Sequence, residues 1–599
     1  MFVYALSSFL ILFSATSHGD ISKKKLTRYH RSVEANLIKQ AFQNLRLRKS
    51  EAAEEIAEKL SKSKLYLDYY YFISGSASKQ IADKKYKENK FSLAEKSINE
   101  ARKLLSKVSI AEPNSSLLKK TDLLLSSTDF FLADLGYKNK KYEDVILHIQ
   151  NALTRYNKYK SLSLTPRYVL EIYGKSCKKK RMLLCKPWAS RLAEIFPSKS
   201  KEYRLISKYF SHLNSPSYSA NRKMIEYIAP EPDKTLLKEA LGYIMENAPY
   251  KAVDAFIDFF KNYPKSGLRT KARYWYGRTL SAIEEKQKAN EQFEIAAKGE
   301  IFDFYAIAAG FELGRHLSTE VKKTTPSFSE DPSYLDISEI KFLKRAQSFL
   351  AAGLNEFAAT ELNSIDSLES LPSKNLIYFA LLNHYAENHR TGFGYITELI
   401  RRDDPSIKTP FGLTTIFPMT YFSLVKQHAK ENDLDPVLVQ SIVKQESAFD
   451  STAISYAGAT GLMQLMRFTA LDMDRNLEIR SLPNKNKNIQ LGTKYFKQVL
   501  GRFSNNIALT LAGYNAGPTR AKGWYREWGA NDLPTFIEKI PYEETKYYIA
   551  KIFRNYYWYQ YIVNEKKLTN FEDFWIQKST VFRKPATKSK VRVEFKPRI

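Results

Sequence analysis

In the stretch Val439-Gln-Ser-Ile-Val-Lys-Gln-Glu-Ser-Ala-Phe449 one acid, Glu446, falls in step with apolar residues on the oily side of a short helix. Asp435 followed by Pro436 is an N-cap with proline at the first helical position, so the spacing predicts a helix from Asp435 to about Ser447. In that register Glu446 comes three positions after Val443, four after Ile442 and seven after Val439, and it turns partly inward. Burial beside apolar groups disfavours the charged carboxylate and raises its pKa, to roughly 6 in known catalytic pockets, which makes a usable acid near neutral pH. A glutamate satisfied by backbone donors or a lysine fits the same pattern.

Three further stretches carry polar groups at ordered places. In Gly458-Ala-Thr-Gly-Leu-Met-Gln-Leu-Met466 two glycines allow close backbone approach, and Gln464 offers both a donor and an acceptor, which suits a sugar-binding wall. Leu509 to Pro518 predicts a helix stopped by Gly517-Pro518, with Tyr514 and Asn515 in its last turn. At Ile540-Pro-Tyr-Glu-Glu-Thr545, Pro541 starts a long helix whose first turns hold Glu543 and Glu544; a favourable interaction with the helix dipole accounts for both acids equally well.

The elements that must position these groups are helical. From about 21 to 400 the chain consists of amphipathic helical patterns separated by short polar breaks. Tyr250 to Tyr263, Ala272 to Ala297, Lys140 to Tyr156 and Leu343 to Leu362 resemble helix-pair repeats of the kind that stack into a solenoid, either a binding surface or a scaffold. Turn-formers cluster at Asp404-Pro405, Thr409 to Gly412 and Phe417-Pro418 and mark a boundary. The expected fold class is all-α: an N-terminal α-solenoid of helix pairs, then a helical domain holding the four motifs. The expected domains are a signal peptide at 1–19, the solenoid with linker helices at 20–400, the motif-bearing domain at 401–575 and a basic flexible tail at 576–599.

Composition narrows the function. The chain of 599 residues holds 94 Lys and Arg against 64 Asp and Glu, a net charge of +30 that favours anionic polymers as partners: nucleic acid, acidic lipid or a carboxylate-bearing wall. Phe2 to Phe13 is an apolar run of signal-peptide length followed by small residues, although no Lys or Arg precedes it; export is expected. A nucleic-acid role lacks a recognition motif and conflicts with export. Scattered histidines, His428 among them, and only two cysteines give no metal-ligand spacing, so neither a metal nor another cofactor is expected. Cys177 and Cys185 are eight positions apart and could pair only across an intervening turn; two ordinary thiols are the alternative.

Taken in order, Gln445-Glu-Ser447, Gly461-Leu-Met-Gln464, Tyr514-Asn-Ala-Gly517 and Ile540-Pro-Tyr-Glu-Glu-Thr545 resemble the signatures of the soluble lytic transglycosylases, whose catalytic domain is like goose-type lysozyme. Ala272 to Arg278 and Arg345 to Gly353 resemble, more weakly, the helical superstructure and linker of the larger members. The resemblance implies Glu446 as sole catalytic acid and base, with Ser455, Gln464, Met466, Tyr514, Asn515 and Glu544 lining the sugar subsites. It also implies peptidoglycan glycan strands as substrate, a periplasmic location, and formation of 1,6-anhydromuramic ends without consumption of water. Peripheral contact with envelope surfaces is a further partner that the charge allows. Gly513 stands where the family usually has Ala, Arg467 where Pro commonly follows the Met, and Pro483 to Asn488 lacks the usual Asp-Pro. The competing expectations are a hydrolytic lysozyme on the same fold and a noncatalytic wall-binding scaffold.

Overall fold

The computed structural model describes residues 32–572 apart from 160, 163–164, 181–184, 197–199, 211–231, 323–328, 330, 367–369 and 529–531. The expected signal peptide and the expected basic tail lie outside the described residues. Among those residues the fold is all-α, as expected; the only β features are isolated antiparallel bridges joining Thr460 to Ile454 and to Leu465. None of the described helices is long and apolar enough to cross a membrane.

The expected helix pairs are present, and one turn geometry closes them. Helix Leu67–Lys87 packs on Phe91–Ser106, Leu118–Lys138 on Tyr142–Lys158, Arg269–Ala282 on Lys286–Lys298, and Ile337–Ala351 on Asn355–Leu362. Between them a single residue adopts the left-handed conformation: Asn89, Lys140, Glu284 and Gly353. The amide of the next residue then reaches back across the last helical turn, as Lys90 N to Lys85 O at 2.9 Å and Glu285 N to Leu280 O at 3.0 Å, satisfying otherwise orphaned carbonyls. Only one of these four positions is glycine, so the sequence hides most of the stops.

The described residues group into two compact units, those within 20–226 and 331–370, and those within 227–330 and 371–599. In the first, Arg345 is fully buried; its guanidinium donates to Asp68 Oδ1 at 2.6 Å and to Leu65 O, and lies 3.6 Å from Glu361 Oε2. Tyr69 and Ser116 each donate to Glu361 Oε1 at 2.6 Å. Cys177, in the last turns of helix Arg167–Lys180, is disulfide-bonded to Cys185, which precedes helix Lys186–Ile195; the Cα atoms are 6.2 Å apart. The helix ends between the two cysteines, which is the interruption that pairing requires.

The second unit carries the motifs on six helices: α1 (Phe422–Glu431), α2 (Pro436–Ser447), α3 (Arg467–Met473), α4 (Lys485–Arg502), α5 (Ile507–Ala516) and α6 (Glu543–Asn564). Their centre is α6, whose Tyr557, Trp558 and Tyr559 are completely buried. Phe302 and Phe417 surround the Trp558 ring at 5.5 and 6.3 Å. Against α6 lie α2, α5 and helix Phe304–Glu312. His428, on α1, is a satisfied core histidine, bonded to Glu431 at 2.7 Å and to Asn486 at 2.9 Å.

Removing only the cation of the buried Arg345 network leaves Asp68 and Glu361 unpaired, so Arg345→Met is expected to destabilise its unit by about 3–5 kcal/mol. Urea unfolding measures this, and an unchanged midpoint would refute it.

Candidate active site

Glu446 sits in the last turn of α2, as its phase predicts. Asp435 caps the helix by accepting from Val437 N at 2.8 Å, and Val439, Ile442 and Val443 are completely buried. Ser447 is buried and donates back to Val443 O at 3.1 Å, so the serine of the Glu-Ser pair seals the end of the helix. The chain then leaves through two left-handed residues, Ala448 at φ 50° and Phe449 at φ 65°. Such strain in non-glycine residues is held only where the surroundings over-determine it, and it concentrates at functional sites.

The helix leaves the Glu446 side chain half-buried, where it meets α6. Tyr548, buried on α6, donates its hydroxyl to Glu446 Oε1 at 2.6 Å. Burial pushes the Glu446 carboxyl up to about 8; the Tyr548 hydrogen bond opposes the shift and the nearby negative charge of Glu544 adds to it. No lysine or arginine forms an ion pair with Glu446 among the described residues, so the alternative of a salt-bridged glutamate does not hold.

The other sequence-predicted residues fall into two groups. Tyr514 and Asn515 end α5, and Glu544 opens α6. Asn515 bridges the two helices: its Oδ1 accepts from Thr545 Oγ1 at 2.7 Å and its Nδ2 donates to Glu544 Oε1 at 3.5 Å. The Tyr514 hydroxyl donates to Met463 O at 2.9 Å, and burial, then the charge of Glu446, holds it well above the usual tyrosine range. Gln464, Ser455 and Met466 instead shape the wall. Gln464, at φ 45°, donates its side-chain amide to Gly461 O at 2.8 Å and Ala453 O at 3.1 Å. Ser455 is exposed in a turn, where its Oγ accepts from Ala459 N at 3.0 Å, and half-buried Met466 stands immediately before α3.

Two residues that the motifs do not mark complete the arrangement. One is Tyr548, four positions after Glu544 and therefore on the same face of α6, a spacing from which it could have been found. The other is Asn488, completely buried on α4, which accepts from Met463 N at 2.8 Å and donates to Thr460 O and Leu482 O, both at 3.0 Å. It holds the wall against α4. Gly461 has φ +81°, and a Cβ there would come within 2.3 Å of Asn488 Nδ2, so glycine is required for this contact. At Gly513 a Cβ would stand 2.7 Å from the Phe503 ring, which gives a steric reason for glycine at that departure. Arg467 opens α3 with its side chain in solvent.

Two acids that follow Glu446 in the same unit have ordinary structural roles. Asp450 caps a turn by accepting from Thr452 N at 2.8 Å, and Asp474 is paired with Lys487 at 2.8 Å. Among the described residues no group of three His, Cys, Asp or Glu side chains could hold a metal.

Residues 423–535 match the Transglycosylase SLT domain. Over 157 residues the chain is 32% identical to the soluble lytic murein transglycosylase of Escherichia coli K12, covering 25% of this chain and 24% of that protein. The soluble lytic murein transglycosylase of Salmonella typhimurium is 24% identical over 311 residues, 51% of this chain and 45% of that one. The match thus spans less than half the length of these relatives. The solved 70-kDa soluble lytic transglycosylase of Escherichia coli aligns over 93% of both chains at 16% identity and a TM-score of 0.46. Part of the chain is thus similar to soluble lytic murein transglycosylases, and the SLT match falls on the unit that carries the motifs.

Gly461→Ala is expected to cost about 1–3 kcal/mol from the left-handed backbone alone, and more from displacing Asn488. A lowered melting temperature, matched by Asn488→Ala, is the expected result; full stability of Gly461→Ala would contradict this account of the wall.

Proposed function

We propose that the protein is a lytic transglycosylase of peptidoglycan, with Glu446 as its general acid and then its base, acting from a catalytic domain at 401–575. The observation that carries this reading is a desolvated carboxyl bonded by a tyrosine hydroxyl and without a cationic partner, inside a matched SLT domain. The relatives named as murein transglycosylases support the substrate. An envelope location, the periplasm, follows from that substrate.

In the proposed reaction, protonated Glu446 gives its proton to the β-1,4 glycosidic oxygen between N-acetylmuramic acid and N-acetylglucosamine. The C1–O bond breaks and the N-acetyl group of the muramic residue stabilises the positive charge that develops. The Glu446 carboxylate next takes the proton of the C6 hydroxyl of the same sugar, and O6 bonds to C1 to close a 1,6-anhydro ring. One group fills both roles in succession, so a second carboxylate of the kind hydrolases use is not required. Tyr514, Asn515 and Glu544 border the acid, while Ser455, Gln464 and Met466 form the wall along which the sugars lie.

Glu446→Gln is expected to lower cleavage of isolated sacculi by at least ~10²–10⁴-fold. Mass spectrometry should find anhydro ends in wild-type digests; reducing ends would identify a hydrolase, and near-normal turnover of the variant would end the assignment of Glu446.

The pH dependence follows from the same group. The acid must start protonated, and its raised pKa keeps it so up to about 8, so activity should be lost as pH rises through that value. Tyr548→Phe removes a bond that favours the charged form, so its basic limb should move to higher pH. A limb at ordinary carboxylate pH in wild type would contradict the assignment.

A further inference from the structure

Within the second unit a cavity of about 330 Å³ opens among helices that take no part in the surroundings of Glu446. Ile244 and Met245 end helix Pro232–Met245, Trp275 and Arg278 stand one turn apart on Arg269–Ala282, Glu312 ends Phe304–Glu312, and Asp532 caps Leu533–Lys539. The volume lies in the range of small-molecule sites and far above what one water fills.

The polar part of the lining is held in place by its own bonds. Arg278 donates to both oxygens of Asp532, at 2.9 and 3.0 Å, in a planar fork that neutralises the pair. Asp532 Oδ1 also accepts from Thr535 N and Thr535 Oγ1, each at 3.0 Å. Tyr274 donates to Glu312 Oε1 at 3.4 Å, and Arg278 Nε stands 3.8 Å from the same oxygen. Two carboxylates therefore share one guanidinium. Trp275, whose ring lies 5.3 Å from that guanidinium, is 2% exposed, and its indole Nε1 has no hydrogen-bond partner among the described residues. A buried donor without an acceptor costs stability, and native folds keep few of them.

These groups select a ligand by what each alternative leaves unmet. An anion would pair with the Trp275 N–H but would face two carboxylates against one guanidinium. A cation would suit the carboxylates and leave the indole donor unpaired. A hydroxyl both donates and accepts, so a neutral polyhydroxyl ligand answers both needs. Ile244 and Met245 supply an apolar wall for the carbon face of its ring. We propose that this cavity is a saccharide-binding site separate from Glu446, with Trp275 Nε1 donating to a sugar oxygen and Glu312 accepting from a sugar hydroxyl. The site stands on its own geometry, and only the choice of an amino sugar as probe rests on the proposed substrate.

The test uses the intact protein labelled with nitrogen-15 in its six tryptophans, whose indole signal missing from Trp275→Phe reports this cavity. The free disaccharide N,N′-diacetylchitobiose is titrated into wild type, and peptide-free glycan strands into Glu446→Gln, which is expected to leave them uncut. The Trp275 signal should shift with both probes where the site holds a strand, and with the disaccharide alone where it holds a released sugar. Glu312→Gln, at an exposed side chain, should need about tenfold more disaccharide for the same shift, the factor expected for one hydrogen bond, and calorimetry should show the same weakening without the tryptophan variant. A signal that moves with neither probe, or that moves at lower concentrations of cadaverine or inorganic phosphate, would overturn the site. The disaccharide should shift the Trp275 signal of Glu446→Gln as it does in wild type; loss of that shift would contradict a separate site. A wild type that shows the shift but cleaves no glycan would overturn the proposed activity instead.

Discussion

The arrangement depends on one hydrogen bond across one helix seam. Glu446 reaches out of α2 to meet Tyr548 of α6, and the carboxyl keeps its proton because both helices shield it from water. Everything that keeps α2 and α6 in register serves that contact. Tyr556 and Gln560 hold Asp435 at the far end of the seam through bonds of 3.0 and 2.9 Å, and Asn555 ties its middle. The buried Tyr557, Trp558 and Tyr559 of α6 anchor it in the core of the unit, so the partner that meets the acid stands on a well-packed helix.

Strain surrounds this contact. Ala448, Phe449 and Gln464 all take left-handed backbone conformations at the end of the acid's helix and in the facing wall. Each is held by specific partners, as when the Gln464 amide grips two carbonyls of its own loop. Asn488 contributes two hydrogen bonds to the same wall, at Met463 and Thr460, so the loop is stiff before any sugar arrives. A wall already in its working shape loses less entropy when a ligand binds.

Much of this was legible in the sequence because the signals were local. The Asp435-Pro436 cap fixed the phase of α2, and phase alone turned Glu446 inward. The two helix ends holding Tyr514, Asn515 and Glu544 were marked by glycine and proline. What escaped were long-range partnerships: Tyr548 follows Glu446 by 102 residues, and Asn488 is one of three asparagines in a polar run that looks like solvated surface. The helix-pair turns were likewise hidden, because Asn89, Lys140 and Glu284 pay the cost of left-handed backbone where glycine would have announced it. The two bonds that the Gln464 side-chain nitrogen makes within its own loop were likewise not marked in the sequence.

The most direct measurement is the titration of the Glu446 carboxyl itself, followed as the infrared carbonyl band that is present in wild type and absent in Glu446→Gln. The band should persist through neutral pH and fade near 8. A band that vanishes near pH 4.5, as for a carboxyl in water, would contradict the claim that this group waits in its protonated form.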